Sequence, residues 1–302
     1  MTETPTLFTS PAKINLFLAV TGRRPGGYHE LFTLMCPLAL SDTLKIEQTQ
    51  QGISVCCADP DVPGDGTNLA YRAAQIFLSR WVQEKNGRPF GVRMVIKKRI
   101  PVAAGLGGGS SNAATVLLAL NRVCENPFSR DRLMAMALKL GADVPFFILR
   151  CPAIATGIGE ILEPVAGLAP ISVLLVHPSI RISTADVYRN LKLRLTKCQQ
   201  RLKNITLHSG AEREHFRLDR LTKYLCNDLE TVTVSQHPFI ETIKQTLIAC
   251  GAAGALMSGS GPTVFGLFRD KAAAQDAFID LSRNRHWQVF KTELVTGASS
   301  SG

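Results

Sequence analysis

Several absences narrow what this chain of 302 residues does. No apolar run reaches the roughly 20 residues a helix needs to cross a bilayer, so no membrane span is expected. Met1 to Ser10 has neither a basic start nor an apolar core, and no signal peptide is expected there. The eight cysteines contain no C-x-x-C and no regular ladder of spacings; Cys56 and Cys57 are simply adjacent. That pattern argues against a disulfide scaffold or a zinc site and for reduced thiols in a cytoplasmic protein. No internal repeat stands out. The chain is basic, at +10, but +7 of that excess lies between Arg189 and Lys223, a stretch with few aromatics and no recognisable nucleic-acid module. A solvated helical face is the expectation for that segment, with attraction for anionic small molecules second and RNA a distant third, so that no nucleic-acid partner is expected.

What is present centres on Pro101 to Asn112, PVAAGLGGGSSN. Before it, Val92, Met94 and Ile96 alternate with Arg93, Val95 and Lys97, the period of a half-buried strand. After it, Ala113 to Leu120 is apolar almost all round, as in a helix buried on several sides. Between them stand Gly105, Gly107, Gly108 and Gly109, then Ser110, Ser111 and Asn112. Glycine permits positive φ and close backbone approach. A helix opening on Ser-Ser-Asn offers unpaired N–H groups, hydroxyls and a positive dipole end. The combination is an anion cradle, and the expected anion is a phosphate. The competing reading, a flexible glycine linker, fits poorly between a strand and a buried helix. The loop is neither a P-loop, since no lysine follows Gly109, nor a dinucleotide fingerprint, which would need glycine at Ser110.

Elsewhere the patterns are coarser. Ile14, Leu16, Leu18 and Val20 share one strand face, so Lys13 and Asn15 project together from the other. Thr21 to Gly27 reads as a loop, followed by Tyr28 and His29, which could stack against a flat heterocycle and bond its edge. A second strand is expected at Leu31–Met35, a turn region from Asp59 to Asn68, and a helix over 69–81. Ser129 reads as an N-cap, with Leu133, Met136, Ala137 and Leu140 as one helix face and Gly141 as its C′ residue. Pro145 biases Val144 away from helix, which puts Asp143 on a helix-to-strand corner among Ala, Val, Pro and Phe. A carboxylate placed so poorly for solvation needs a cationic partner or a task. In the second half, the strand at Ser172–Val176 leads to a loop at Ile180–Ala185. Next come a helix face of Phe239, Ile240, Ile243 and Leu247 closed by Gly251, and strands at Ala253–Met257 and Thr263–Phe268. A helix near Lys271–Arg283, a last strand at Gln288–Leu294 and a polar, disordered tail from Gly297 complete a pattern close to a ferredoxin-like sandwich.

The loop resembles the P-x-x-x-GLGGGSS motif of the GHMP small-molecule kinases, and three further blocks match that family in order. They are PAKINLFL with GGYHEL (11–31), LGADVPFF (140–147) and SGSGPTVF (258–265). The resemblance implies a two-domain α+β fold. A ribosomal-protein-S5-like N-terminal domain (1–165) would bind ATP, a ferredoxin-like C-terminal domain would span 166–302, and the active site would lie in the cleft between them. It implies Lys13 and Asp143 as the catalytic pair. ATP would contact Asn68 and Lys98, near the adenine, and the loop Pro101, Val102, Ala103, Ala104, Gly105, Leu106, Gly107, Gly108, Gly109, Ser110, Ser111 and Asn112. The substrate would meet Asn15, Tyr28, His29, Thr184, Tyr188 and the second glycine turn, Gly259, Ser260 and Gly261. The Tyr-His block resembles the branch that phosphorylates a cytidine-capped sugar alcohol on the non-mevalonate route to isoprenoids. The alternatives are another kinase of the family, of mevalonate or homoserine type, or a non-catalytic ligand- or RNA-binding protein on the same fold. ATP and Mg2+ are the implied cofactors, with Ser111 a candidate metal ligand and no other assigned. The expected partner is a small molecule, and the expected state a monomer. Ala103 and Ala104 stand where relatives often carry glycines, and Tyr188 replaces a common phenylalanine.

Overall fold

The computed structural model describes residues 6–193, 198, 202 and 217–297. Contacts group the chain into two compact units. The first comprises Met1–Ala12, Ser41–Val102 and Gly107–Arg150; the second comprises Lys13–Leu40, Ala103–Leu106 and Cys151–Gly302. The grouping interleaves in sequence, because strands β1 (Thr6–Arg23) and β2 (His29–Thr49) each have residues in both units. Both strands exceed the expected lengths. β1 continues through Thr21 into the predicted loop, and β2 runs on past Met35 and through Pro37 to Thr49. In the fold Pro37 needs no donor of its own; its carbonyl accepts from Val295 N at 2.9 Å.

In the first unit β3 (Ile53–Cys57) lies parallel to β4 (Gly91–Lys97), and β4 pairs antiparallel with the second half of β2, Thr43 opposite Lys97. The period-2 reading of β4 holds: Val92, Met94 and Ile96 are buried and Arg93 and Lys97 exposed. Four helices cover this unit: α1 (Leu69–Lys85), α2 (Gly108–Val123), α3 (Arg130–Leu138) and α4 (Val144–Leu149). Helix α2 is buried on nearly every side, as its largely apolar run from Ala113 to Leu120 demands, and packs against α1 and α4. Ser129 caps α3, its Oγ accepting from Arg132 N at 3.3 Å, with Asp131 in the first turn. Two expectations fail nearby. Gly141 has no positive φ and is not a C′ cap; its carbonyl accepts from Val144 N and turns the chain straight into the next helix. That element is α4, a helix where a strand was expected. Pro145 stands in its first turn, where a missing N–H costs nothing, and Asp143 occupies the N-cap position.

The second unit holds β5 (Ala153–Thr156), β6 (Ile161–Pro164), β7 (Ser172–His177), β8 (Cys226–Asn227), β9 (Gly254–Met257), β10 (Val264–Phe268) and β11 (Gln288–Glu293). Its described helices are α5 (Thr184–Asn190), α6 (Leu218–Tyr224), α7 (Glu230–Gln236), α8 (Phe239–Ala249) and α9 (Lys271–Leu281). The loop expected over 180–185 thus gives way at Thr184 to a helix, capped by the Ser183 hydroxyl. Strands β11, β7, β10 and β9 form an antiparallel sheet in that order. With β7 first in sequence this is the βαββαβ arrangement of a ferredoxin-like sandwich, as expected. Ile240, Ile243 and Leu247 of α8 and Ala274, Ala277 and Leu281 of α9 pack on Leu174, Val176, Met257, Val264 and Phe268. The first half of β2 pairs with β5 and β5 with β6, while β8 runs parallel to β1 at Phe17 and Leu18. Most of the basic segment, residues 194–197, 199–201 and 203–216, and the tail at 298–302 lie outside the described residues.

His177 ends β7 buried, its Nδ1 3.2 Å from the Thr263 hydroxyl, and burial lowers its pKa to about 4. Between that value and about 6.5, the unfolded chain binds a proton that the native imidazole refuses. Stability from this group is therefore present above about pH 6.5 and falls as the pH drops toward 4, by at most about 3 kcal/mol. Comparing chemical denaturation of the wild type with His177→Gln across this range should reveal a stability difference that slopes by about one proton and flattens above pH 7. Parallel curves would refute the buried neutral histidine.

Candidate functional site

The loop between β4 and α2 has the backbone its glycines suggest. Ala103, Gly105 and Gly107 have φ of 53°, 77° and 71°, alternating with residues of ordinary φ. Such alternation turns successive N–H groups into one concavity, a nest for an anion. Gly107 is the N-cap of α2 and brings no side-chain cap, so the amides of the first turn remain available to a ligand. Two of the glycines are fixed by close approach. A Cβ on Gly105 would lie 2.2 Å from the Ser258 carbonyl, and one on Gly108 3.1 Å from both Lys98 Nζ and the Ile100 side chain. The alanine at 103 occupies a left-handed conformation that favours glycine, the physical reason a glycine suits that position.

The helix opens two residues earlier than the sequence suggested, and this redirects its polar residues. Ser111, expected to face the anion, is fully buried and accepts from Ser10 Oγ at 2.8 Å. Asn112 donates to Ser10 Oγ (2.9 Å) and to Asp42 Oδ2 (3.0 Å). Ser110 alone of the three stays partly exposed. A hydroxyl as enclosed as that of Ser111 is a poor metal ligand, and among the described residues no group of three or more His, Cys, Asp or Glu side chains could hold a cation.

Asp42 itself escaped the sequence reading. It is completely buried on β2, and its carboxylate accepts from Arg99 N (2.8 Å), Ile100 N (2.9 Å), Asn112 Nδ2 and the Lys98 ammonium. Lys98, expected near an adenine, is thus held inward by an ion pair. Asn68, expected beside it, caps α1: its Oδ1 accepts from Ala70 N at 2.8 Å and its Nδ2 donates to Pro63 O at 2.7 Å. Asp143 is half-buried in this same unit, before the first turn of α4.

Within the second unit, Lys13 and Asn15 do project together. Lys13 is 4% exposed; its ammonium donates to Asn15 Oδ1 at 2.7 Å, Asn15 Nδ2 to Thr33 Oγ1 at 2.8 Å, and Thr33 Oγ1 to the Phe17 carbonyl at 2.6 Å. The Lys13 backbone N–H donates to Leu106 O at 3.0 Å, tying the strand to the glycine loop. The second glycine turn closes on the same place. Ser258 Oγ donates to Gly105 O at 3.0 Å, and a Cβ on Gly259 would meet Lys13 Nζ at 3.4 Å. Asn227, another residue the sequence reading missed, clamps that turn: Nδ2 donates to Met257 O (2.9 Å) and Gly259 O (2.7 Å), and Oδ1 accepts from Leu229 N. Ser260 Oγ lies 2.7 Å from Thr184 Oγ1. Lys13, Asn15, Gly105, Leu106, Thr184, Gly259, Ser260 and Gly261 are therefore one neighbourhood. An ammonium, a nest of amides and two glycine turns in contact make a place suited to a phosphoryl group.

Tyr28 is 65% exposed on the turn before β2, while His29 stacks on Tyr188 of α5, ring centroids 5.2 Å apart and planes inclined by 29°. Burial first, and Arg23 second, lower the His29 pKa, so at neutral pH its ring offers one donor and one acceptor. A flat platform with both hydrogen-bonding characters and an exposed phenol beside it is suited to a heterocyclic base.

Known proteins share this architecture. Residues 68–150 match the model of the GHMP kinases N terminal domain and residues 208–284 that of the GHMP kinases C terminal domain. A 4-diphosphocytidyl-2-C-methyl-D-erythritol kinase of Syntrophotalea carbinolica is 47% identical over 95% of this chain and 98% of its own length. One from a Geobacter species is 44% identical over 92% and 95%. A crystal structure of a 4-(cytidine 5'-diphospho)-2C-methyl-D-erythritol kinase superposes with a TM-score of 0.78 at 36% identity, covering 97% of this chain and all of that one. A mevalonate kinase from L. major shares the fold alone, at 17% identity and a TM-score of 0.73. On the strength of both domain models and of relatives matched from end to end, the chain belongs to the GHMP kinase family.

Proposed function

We propose that this protein transfers the γ-phosphoryl group of ATP to a free hydroxyl of 4-diphosphocytidyl-2-C-methyl-D-erythritol, a step in the methylerythritol phosphate pathway to isoprenoid precursors. The observation that carries the reading is the meeting of the Lys13 ammonium with both glycine turns in one neighbourhood. Full-length relatives of that name, more than 40% identical, support the choice of substrate. The eight cysteines are free thiols, which accords with work in a reducing cytoplasm.

Phosphoryl transfer asks a protein mainly for positioning and for charge stabilisation. The nest from Ala103 to Gly107 and the first turn of α2 take the nucleotide phosphates through backbone N–H groups. The Lys13 ammonium, oriented by Asn15, stabilises charge at the moving phosphoryl group. Asp143 accepts the proton of the attacking hydroxyl. Magnesium bound with ATP would neutralise phosphate charge; among the described residues no cluster of three or more His, Cys, Asp or Glu side chains would hold it, and Ser110 in the first turn of α2 is the hydroxyl left partly exposed beside the phosphates. At the other end of the substrate, Tyr28, His29 and Tyr188 receive the cytosine ring, and Thr184 and Ser260 offer hydroxyls to the chain that follows.

Two substitutions test these roles. Asp143→Asn keeps the shape and removes the proton acceptor, so kcat should fall by about 10²–10⁴-fold or more while both substrates still bind and Tm stays near that of the wild type. A stable variant with near-normal kcat would remove Asp143 from the chemistry; a destabilised one with substantial turnover would make it a folding residue. Tyr28→Ala should raise the KM for the cytidine substrate by about 5- to 150-fold, the equivalent of roughly 1–3 kcal/mol of stacking, and leave the KM for ATP nearly unchanged. An unaltered KM for the cytidine substrate would place the base elsewhere.

A further inference from the structure

Asp42 touches nothing that reacts, yet its four donors come from segments flanking the nucleotide loop in sequence. Lys98, Arg99 and Ile100 form the corner immediately before Pro101, and Asn112 lies in the opening turns of α2, just after Ser111. The β2–β4 register, with Thr43 opposite Lys97, puts Asp42 opposite Lys98 one step further on, so the ion pair is a continuation of the ladder. Lys98 Nζ in turn lies against Gly108, the first residue of α2, where even a methyl group would come within 3.1 Å. One carboxylate therefore fixes the start of the loop through two backbone N–H groups, and the helix that ends it through Asn112 and through the lysine packed under Gly108.

We propose that Asp42 is a positioning residue for the nucleotide, setting the affinity for ATP through the corner at 98–100 and the first turns of α2. This rests on the reading of the glycine loop as the ATP cradle. Without the carboxylate, an ammonium whose side chain is only 9% exposed, the buried Ile100 N–H and the part-buried Arg99 N–H lose their acceptor. Lys98 must then swing toward water, taking the corner with it. The cradle's amides shift relative to the phosphates, and displacements near 1 Å are enough to cost on the order of 100-fold at such sites. Nothing in this chain of contacts reaches Tyr28, His29 or Tyr188, so the cytidine end is untouched.

The test is a split between substrates. Asp42→Asn keeps an acceptor for Arg99 N and Ile100 N but turns an amide toward Lys98 and Asn112; Asp42→Ala removes all four bonds. We expect the KM for ATP to rise about 10- to 100-fold in Asp42→Ala and less in Asp42→Asn, with the KM for the cytidine substrate within about twofold of wild type. Equilibrium titration with ATP alone should repeat the ranking. If both Asp42 variants fail to fold, Asn112→Ala, which removes one donor, decides by the same titration and should weaken ATP binding several-fold. Variants that bind ATP like wild type, or that raise both KM values equally, overturn the proposal. Wild-type protein that binds no ATP would overturn the kinase reading with it, which separates the two failures.

Discussion

An ammonium group sits where water scarcely reaches it, on a strand covered on both faces. Lys13 is flanked by Ala12 and Ile14, both completely buried, and removing such a charge from water costs several kcal/mol unless it is matched by fixed polar partners. Much of the second unit can be understood as that matching. Asn15 supplies an oxygen two residues along the same strand face, Thr33 orients Asn15, and the Phe17 carbonyl orients Thr33. Asn227 then holds the second glycine turn close to the same ammonium by saturating its own amide on three backbone groups. Each member has its hydrogen-bonding capacity taken up by the next, so the lysine is presented in one orientation. A cation prepared in this way spends no reorganisation when negative charge develops beside it.

The first unit meets the opposite problem with the same device. Asp42 is a buried anion, and its carboxylate accepts from four donors on two segments, the corner at 98–100 and helix α2. A half-satisfied buried carboxylate would be worse than an apolar residue; a fully satisfied one specifies a single arrangement of the elements it joins. The preference for glycine at 105 and 108 follows from the same economy of space, because backbone and charged head groups must approach more closely than a Cβ allows.

How much of this was legible in the sequence depends on the kind of signal. Local chemistry with a fixed period was readable: the alternation of β4, the shared face of Lys13 and Asn15, the Ser129 cap, the glycine loop and the ferredoxin-like succession. Where two local rules competed, the sequence misled. Pro145 disfavours helix at Val144 in isolation, yet in a first turn it is compatible with one, and Gly141 suits a helix cap, yet here it only turns the chain into α4. Asp42 was legible and overlooked. It stands in the row Leu38, Leu40, Leu44 and Ile46, all buried, so an acid at that parity had to face inward and find partners. Asn227 gave no such warning, because β8 is two residues long and shows no period at all.

Strand β1 explains why the ends of the second unit's site belong together. Its odd row carries Lys13 and Asn15 toward the glycine turns. Its even row ends in Leu18 and Val20, which pack with Ile182, Val187, Leu229 and Val232, and Tyr188 lies against that cluster. The aromatic platform of His29 and Tyr188 therefore rests on the reverse face of the strand that presents the ammonium. Backbone bonds reinforce the arrangement, with Val20 N donating to Asp228 Oδ2 at 2.9 Å and Asp228 N to Leu18 O at the same distance. A strand is inextensible at about 3.3 Å per residue, so the spacing between Lys13 and the cluster under Tyr188 is set by sequence separation and not by loop conformation. In the proposed reaction, with a base held at the platform and a hydroxyl at the ammonium, that rigidity would convert binding at the aromatic platform into alignment at the ammonium.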